Sequence, residues 1–444
     1  MVDYVRAQPE YDVPARHIAG TSSEKLQQID EAIQELLDIK LLECAQDQPN
    51  VRFLAVPRPR SHWFAMTMTI GILLIILVLL LGVHPAHAQD APTATRWQAG
   101  AFLDVAYLGD LTSRSAQTFR SRGTTRVLNE FGIDMAAAYL RKTATAASRW
   151  GVELTAQGGR DSELFGFSPT APNLSGADTL RHFGPTDVGY LAPVGHGLMI
   201  QGGIFNSLIG YDSLYAKDNF AYTRPWAADF TPYLMLGVNA TYPLSDRVSL
   251  AGAVVNAYFH LSHPNDASSG VTQVSWSFAP DWSLKETFLF GSHQADTSPE
   301  FWRMLSDTIL EQKGTRLTVA GELQFATERV AATNERATWA AVQLPARVLI
   351  SGPWSAGVRP EIARDASGRY TGFRQNVFAV TSTLQFAHAS GTRQTIARLE
   401  HRYDNSTGPD GGFFSTADSD PGAPLTHRQN LIVGALILTF DSRW

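Results

Sequence analysis

From Gln89 to the C terminus, apolar residues recur at every second position in stretches of roughly ten, and this period limits the fold more than any other feature of the chain. In "TRLTVAGELQF", Leu317, Val319, Leu323 and Phe325 share one face, while Arg316, Thr318, Glu322 and Gln324 share the other. "QVSWSF", "WGVELTAQGG" and "YLMLGVNATY" repeat the pattern through Val274, Trp276 and Phe278, through Trp150, Val152 and Leu154, and through Leu234, Leu236 and Val238. Side chains of an extended strand point alternately to its two faces, so each stretch is expected to be a strand with one apolar and one polar side.

A soluble sandwich has the same period, and the connections separate it from a membrane barrel. Strands are expected at 97–109, 126–142, 148–159, 185–194, 196–206, 231–243, 247–260, 270–280, 281–292, 301–312, 315–326, 337–350, 354–365, 374–389, 392–406 and 426–440, about sixteen in all. Every second junction is tight ("TATAA", "VGHG", "PLSD", "PD", "KG", "SGP", "ASG"), whereas 110–125, 160–184, 207–230 and 407–425 are long. Short turns at one end and long loops at the other are the barrel arrangement. Trp97, Trp150, Trp282 and Trp354 each open a strand leaving the short-turn end and Trp444 closes one returning to it, an expected aromatic girdle. The last strand, "NLIVGALILTFDSRW", ends on an aromatic as the assembly signal of bacterial outer-membrane proteins does. The expected fold is all-β: a transmembrane antiparallel up-and-down barrel of about sixteen strands over residues 89–444.

The one long apolar run, "GILLIILVLLLGVHPAHAQD", precedes it. Its core, Ile70 to Val83, has the length of a signal-peptide h-region; Arg58 and Arg60 stand before it and the small-x-small triplet Ala86-His87-Ala88 after it. Residues 64–88 are therefore expected to be h-region and cleavage site, cut before Gln89, with an uncleaved anchor as the alternative. Residues 1–63 form an N-terminal extension with one amphipathic helix at about 22–43, opened by a capping box from Thr21 to Glu24 and striped by Leu26, Ile29, Ile33, Leu36, Leu37 and Leu41. It is either an over-extended gene start, the signal peptide then beginning near Val51, or a small cytoplasmic or partner-binding helix.

A net charge of -6 with 18% charged residues excludes a basic nucleic-acid binder and a disordered acidic tail. The sole cysteine, Cys44, lies before the apolar run, so the exported part has no disulfide framework. Enzymatic and metal signatures are thin. His260 and His263 have ligand spacing only on a helix, yet fall at an expected strand end. Asp404, Asp410, Asp418 and Asp420 are not at calcium-loop spacing, and a solvated loop is the default for them. Asn173, Asn239 and Asn405 match a glycosylation triplet that bacterial export makes irrelevant. No cofactor and no metal site are expected.

"VGYLAPVGHGLMIQGGIFNSLIGYDSLYAKDNFAYTRPW", followed by "LGVNATYPLSDRVSLAGAVVNAY", resembles the putative beta-barrel porin-2 family, the OmpL-like porins. The blocks "YLAPVG.GL", "G.F...IGY", "KDNF.Y.R" and "YP.SD..SL.G.VVN" carry the resemblance, and "RLEHRYDNS" looks like the family's penultimate strand. It spans about residues 95–444 and implies an outer-membrane porin-like barrel with no cofactor and no reaction.

A water-filled lumen accepts charge where a lipid face does not, so the parity of apolar neighbours assigns candidate pore-lining residues. Asp104, Glu130, Asp134 and Glu153 are expected to point inward from strands one to three, and Lys285, Arg316, Glu322, Arg359, Glu361, Arg398, Glu400 and Arg402 from strands nine to fifteen. The acidic set is expected to face Lys285, Arg316 and Arg359 across the pore, a transverse field, while Arg398 and Arg402 pair with neighbours such as Glu400 or Glu361. Solvated wall charges without a selective role are the bland alternative. Glu286 falls on the otherwise apolar face of Trp282, Leu284, Phe288 and Phe290, so it marks an interface or a register error. The segment 207–230 carries too many rings for a solvated loop and is expected to fold into the lumen with Asp212, Lys217, Asp218 and Arg224.

The expected function is passive diffusion of small hydrophilic solutes across the outer membrane, with lipid, those solutes and the barrel-assembly machinery as partners and no nucleic acid. A plugged barrel acting as adhesin or receptor is the alternative, followed by an outer-membrane hydrolase.

Overall fold

The computed structural model describes residues 97–111, 117–166, 177–229, 231–257, 261, 267–294, 301–408, 411–414 and 425–443. The apolar run, the cleavage site at Ala86, Ala88 and Gln89 and the expected N-terminal helix lie outside the described residues. So do Trp444, His260, His263, Asn173, Asp410, Asp418 and Asp420.

The chain forms one antiparallel sheet whose order returns on itself. Its strands are β1 (Trp97–Asp110), β2 (Phe131–Lys142), β3 (Trp150–Gly158), β4 (Thr186–Ala192), β5 (Leu198–Asn206), β6 (Leu234–Pro243), β7 (Val248–Val255) and β8 (Ser269–Ala279). They continue as β9 (Trp282–Ser292), β10 (Trp302–Lys313), β11 (Leu317–Arg329), β12 (Arg336–Gln343 with Ala346–Ser351), β13 (Trp354–Asp365), β14 (Gln375–Ser390), β15 (Arg393–Ser406) and β16 (Arg428–Arg443). The two pieces of β12 both pair between β11 and β13, so they are one strand broken at Pro345, which has no N–H for the ladder, and the wall has sixteen strands. β16 pairs with β1 from Gln98↔Arg443 to Asp110↔Leu431 and closes the barrel. Closure leaves no strand edge, as a lipid environment requires.

Turns between β2 and β3, β4 and β5, β6 and β7, and at each later alternate junction are short; the segments 111–130, 159–185, 207–233 and 407–427 leave the opposite end. Trp150, Trp282 and Trp354, exposed first residues of β3, β9 and β13, ring the short-turn end, and Trp97 opens β1 there. A second aromatic level near the long-loop end contains Phe290 stacked on Trp302 at 5.6 Å and Tyr107 against Phe131 at 4.9 Å. Two aromatic levels flanking an apolar belt match the two interfaces of a bilayer.

Glu286 interrupts that belt. The register of β9 is as expected, since Lys285, Thr287 and Leu289 face inward and Glu286 outward between Leu284 and Phe288. Its carboxylate accepts hydrogen bonds from Ser306 Oγ at 2.7 Å and from Thr308 Oγ1, both on the outer face of β10. The exception is thus answered locally by two donors. Changing Ser306 and Thr308 together to Ala should destabilise the barrel by about 3–6 kcal/mol, two hydrogen bonds to a charged group, whereas Glu286→Leu should be neutral or stabilising. Midpoints of denaturant unfolding in lipid vesicles measure this, and an unchanged midpoint in the double variant would refute it.

The core of the molecule lies inside the wall. In the long-loop half, inward apolar residues, including Leu108, Phe205, Val255, Leu289, Ala326 and Val377, pack against Phe119, Ile209, Tyr222, Trp226 and Phe413 from the loops, beside buried charges such as the Arg303–Glu328 pair and Asp365. In the short-turn half the inward residues are polar: Gln98, Arg141, Glu153, Lys285, Lys313, Thr318 and Arg347.

Candidate functional site: the lumen and its loop

The segment 207–233 leaves β5, crosses the lumen and returns to β6, whose first residue, Leu234, pairs with Asn206. Apart from a single helical turn at Ala216–Asp218 and another at Trp226–Asp229, its backbone has no regular partners. Where they are buried, those N–H and C=O groups must still be satisfied, and wall side chains do it. Carboxylates take the N–H groups. Asp307 accepts from Gly210 at 2.8 Å, Glu322 from Tyr211 at 3.2 Å, Glu400 from Tyr222 and Thr223 at 2.6 and 3.1 Å, and Glu361 from Trp226 at 2.5 Å. Arginines take the carbonyls. Arg398 donates to Ala216 at 2.7 Å, Arg359 to Thr223 at 2.8 Å and Arg402 to Arg224 at 3.0 Å.

The side chains of the segment are held in the same way. Tyr222 Oη lies 2.9 Å from Asp104 Oδ1 and 2.7 Å from Asp134 Oδ2. A bulge opposite Asp104 and Val105 turns both Asp134 and Met135 inward, and this brings the two carboxylates together. Trp226 Nε1 donates to Asp404 at 2.9 Å, and Gln343 donates to Asp212 at 2.9 Å. Ion pairs join Arg402 to Glu361 at 3.0 Å and to Asp404 at 2.8 Å, and Arg359 to Glu361 at 3.6 Å. Nearer the long-loop end, Arg224 pairs with Asp161 at 3.3 Å and Arg122 with Asp229 at 2.8 Å, all four fully buried. Burial pushes the Asp161 carboxyl up to about 7 against the pull of Arg224. Asp212 is likewise raised by burial, opposed by Arg359. Lys217 is paired with Asp218 at 2.7 Å on the side facing the polar half.

Several expectations change. Asp104, Asp134, Glu322, Arg359, Glu361, Arg398, Glu400 and Arg402 all face inward, but each binds the loop or another wall charge instead of lining open water. Arg402 with Glu361 is one of the pairings expected. Glu130 precedes β2, is half exposed and pairs with Arg160 at 2.5 Å, so it stands on the rim and not on the wall. Arg316 is also off the wall: it sits in the turn before β11, exposed, donating to Leu349 O at 3.3 Å. Asp404, read as part of an acidic loop, is an inward residue of β15. Glu153 and Lys285 remain beside open cavities, so the expected transverse pairing of Asp104 and Asp134 with Arg316 and Arg359 is replaced by local bonding. Asp161, Asp229, Asp307, Arg122 and Tyr222 were not singled out from the sequence. Only Asp307 offered a signal there, a lone carboxylate inside the alternation of "WRMLSDTIL".

The block "KDNF.Y.R", Lys217 to Arg224, is the piece of the loop on which Arg359, Arg398, Glu400 and Arg402 converge. Residues 97–440 match the model of the family described as putative beta-barrel porin-2, OmpL-like. The chain belongs to this family. Like solved outer-membrane channels, this porin-2 barrel is a closed antiparallel sheet. It is similar to the anion-selective porin from Comamonas acidovorans (TM-score 0.47, 9% identity, 80% of this chain and 100% of that one). It is also similar to the outer-membrane channel DcaP of Acinetobacter baumannii (TM-score 0.48, 8% identity, 81% and 99%). OmpT of Vibrio cholerae gives a TM-score of 0.46 at 10% identity, over 80% of this chain and 100% of that one. No curated protein matches it in sequence.

Proposed function

We propose that this porin-like barrel of the outer membrane passes small hydrophilic solutes by diffusion, along a route whose width the segment 207–233 sets. The observation that carries this reading is the polar half of the lumen, where two cavities of about 630 and 350 Å³ lie on either side of residues 210–218. A barrel of this strand number encloses enough section for water-filled passage. In the packing described, the long-loop half is filled, so flow requires the loops there to open. That same filling favours a second reading, a plugged barrel that binds a partner at its long-loop end. Stepwise ohmic conductance of the purified protein in planar bilayers is expected for a channel; a folded, heat-modifiable barrel that leaves the bilayer sealed would replace it with the plugged reading.

The protein reaches that membrane, in this reading, after cleavage before Gln89, and the aromatic-ended β16 engages the assembly machinery. The N-terminal residue of the protein recovered from outer membranes tests the first step, and any residue other than Gln89 refutes it. No catalytic role is assigned to the lumen, whose carboxylates and arginines hold the loop.

A further inference from the structure

The charges of the lumen divide into two groups. Most are paired: Arg122, Arg224, Arg303, Arg359 and Arg402 each have a carboxylate within 4.0 Å. Among the described residues, Lys285, Lys313 and Arg347, which face inward from β9, β10 and β12 in the polar half, have none; nor do Arg141, which is held by Gln98, and Arg398, which is held by Gln385 and the loop carbonyls. A charge already matched by its neighbour attracts little from solution; an unmatched one does.

These three cations line the smaller cavity, about 350 Å³, between the loop and β9–β14. Lys313, Thr318, Arg347, Gly357 and Thr383 occupy one cross-strand row, so the two cations flank a hydroxyl and a second hydroxyl follows. Gly357 has a purpose in that row. The ring of Phe220 lies where a Cβ would project, and the Arg347 guanidinium stands over that ring, 5.6 Å from its centroid. The guanidinium is thereby steadied without a carboxylate, leaving its N–H fork free for a ligand. The carboxylates at this cavity are engaged elsewhere: Asp212 by Gln343 and Arg359, Asp218 by Lys217, and Glu311 by the Tyr211 hydroxyl at 3.0 Å. Lys285 acts on Asp307 electrostatically without forming an ion pair. The larger cavity across the loop differs, since Glu153, Asp212, Asp218 and Asp441 there outnumber Arg141, Lys217 and Arg393.

We propose that the cavity under β9–β14 is a binding site for small oxyanions of two or more negative charges, carboxylate or phosphate in kind. Lys313 and Arg347 grip the anion, Lys285 adds charge, and Thr318 donates a hydroxyl, that of Thr383 being already given to Glu400 at 3.1 Å. As a selectivity site on a permeation route it rests on the diffusion reading; as a binding site it does not. The test therefore uses two readouts. Calorimetric titration of the detergent-folded full-length protein with citrate and, separately, with pyrophosphate measures binding, and reversal potentials in a potassium chloride gradient measure selectivity. Binding of at least one anion is expected, weakened about tenfold or more by Lys313→Gln with Arg347→Gln and unchanged by Arg141→Gln in the other cavity. Neither substituted cation is in an ion pair, so heat-modifiability should persist and separates loss of binding from loss of fold. Citrate binding alone assigns a carboxylate ligand, and pyrophosphate binding alone a phosphate ligand. No binding of either anion, or equal binding by wild type and the double variant, overturns the proposal even where the barrel conducts. Binding without conductance upholds the site and removes the diffusion reading.

Discussion

Replacing residues 208–232 by a short glycine-serine linker should leave the barrel folded and raise its single-channel conductance several-fold. Ser207 N already donates to Tyr233 O at 3.0 Å and Asn206 pairs with Leu234, so a few residues close the gap. Each strand keeps both neighbours, because no ladder of the wall passes through the segment. Removing one member of a buried ion pair usually costs several kcal/mol by stranding the other charge. Here the stranded groups, Glu400, Arg398, Arg359 and Asp307, would instead be hydrated by the water that replaces the loop. Phe119, which packs edge-on against both Trp226 and Phe413, loses Trp226, which loosens the long-loop end as well. Planar-bilayer recording measures the effect. A folded deletion variant with wild-type conductance would show that the segment does not set the width.

Deleting residues 436–444 should abolish the barrel altogether. That piece of β16 supplies the partners of β1 from Gln98 to Val105 and of β15 from Arg393 to Ala397. It also carries Asp441, which accepts hydrogen bonds from Tyr139 at 3.0 Å and from Gln98. Its loss exposes two runs of unpaired backbone groups, each costing several kcal/mol in hydrocarbon, and this exceeds the whole stability of a typical domain. Heat-modifiable migration and protease resistance report assembly, and a resistant barrel formed by the truncated chain would contradict the closure described here. Compared with this, the loss of the Glu286 donors on β10 is a small perturbation, since it leaves every ladder bond in place.

The wall was legible because its determinants are local. The period of two places Leu317, Leu323 and Phe325 on one side of β11 whatever its neighbours are, and a two-residue turn such as Pro280-Asp281 forces β8 and β9 to be adjacent and antiparallel. Strand ends were less secure: β2 begins at Phe131 where residue 126 was expected and β11 at Leu317 where 315 was expected, and that is why Glu130 and Arg316, assigned to the wall, stand on its rims. The bulge beside Asp134 left no trace in the alternation, because it keeps the outward apolar residues Ile133 and Leu140 outward while shifting the positions between them.

By itself, then, the sequence determined a sheet with one lipid-facing and one inward side, short turns at one end, and a ring-rich segment that needs burial. Only the tertiary structure decided what the inward side meets. Parity tells that Glu400 and Arg402 point into the lumen, but their partners lie on a loop nearly 180 residues away, 178 positions from Tyr222 for Glu400 and from Arg224 for Arg402. Closure brings those groups together, and a buried charge then takes whichever backbone dipole or counter-charge is within reach, because leaving it unmatched costs more than any local preference offers. The same selection leaves Lys285, Lys313 and Arg347 open: the loop passes them with Phe220 and an already engaged Asp212, and a charge with no partner inside the protein is available to one from outside.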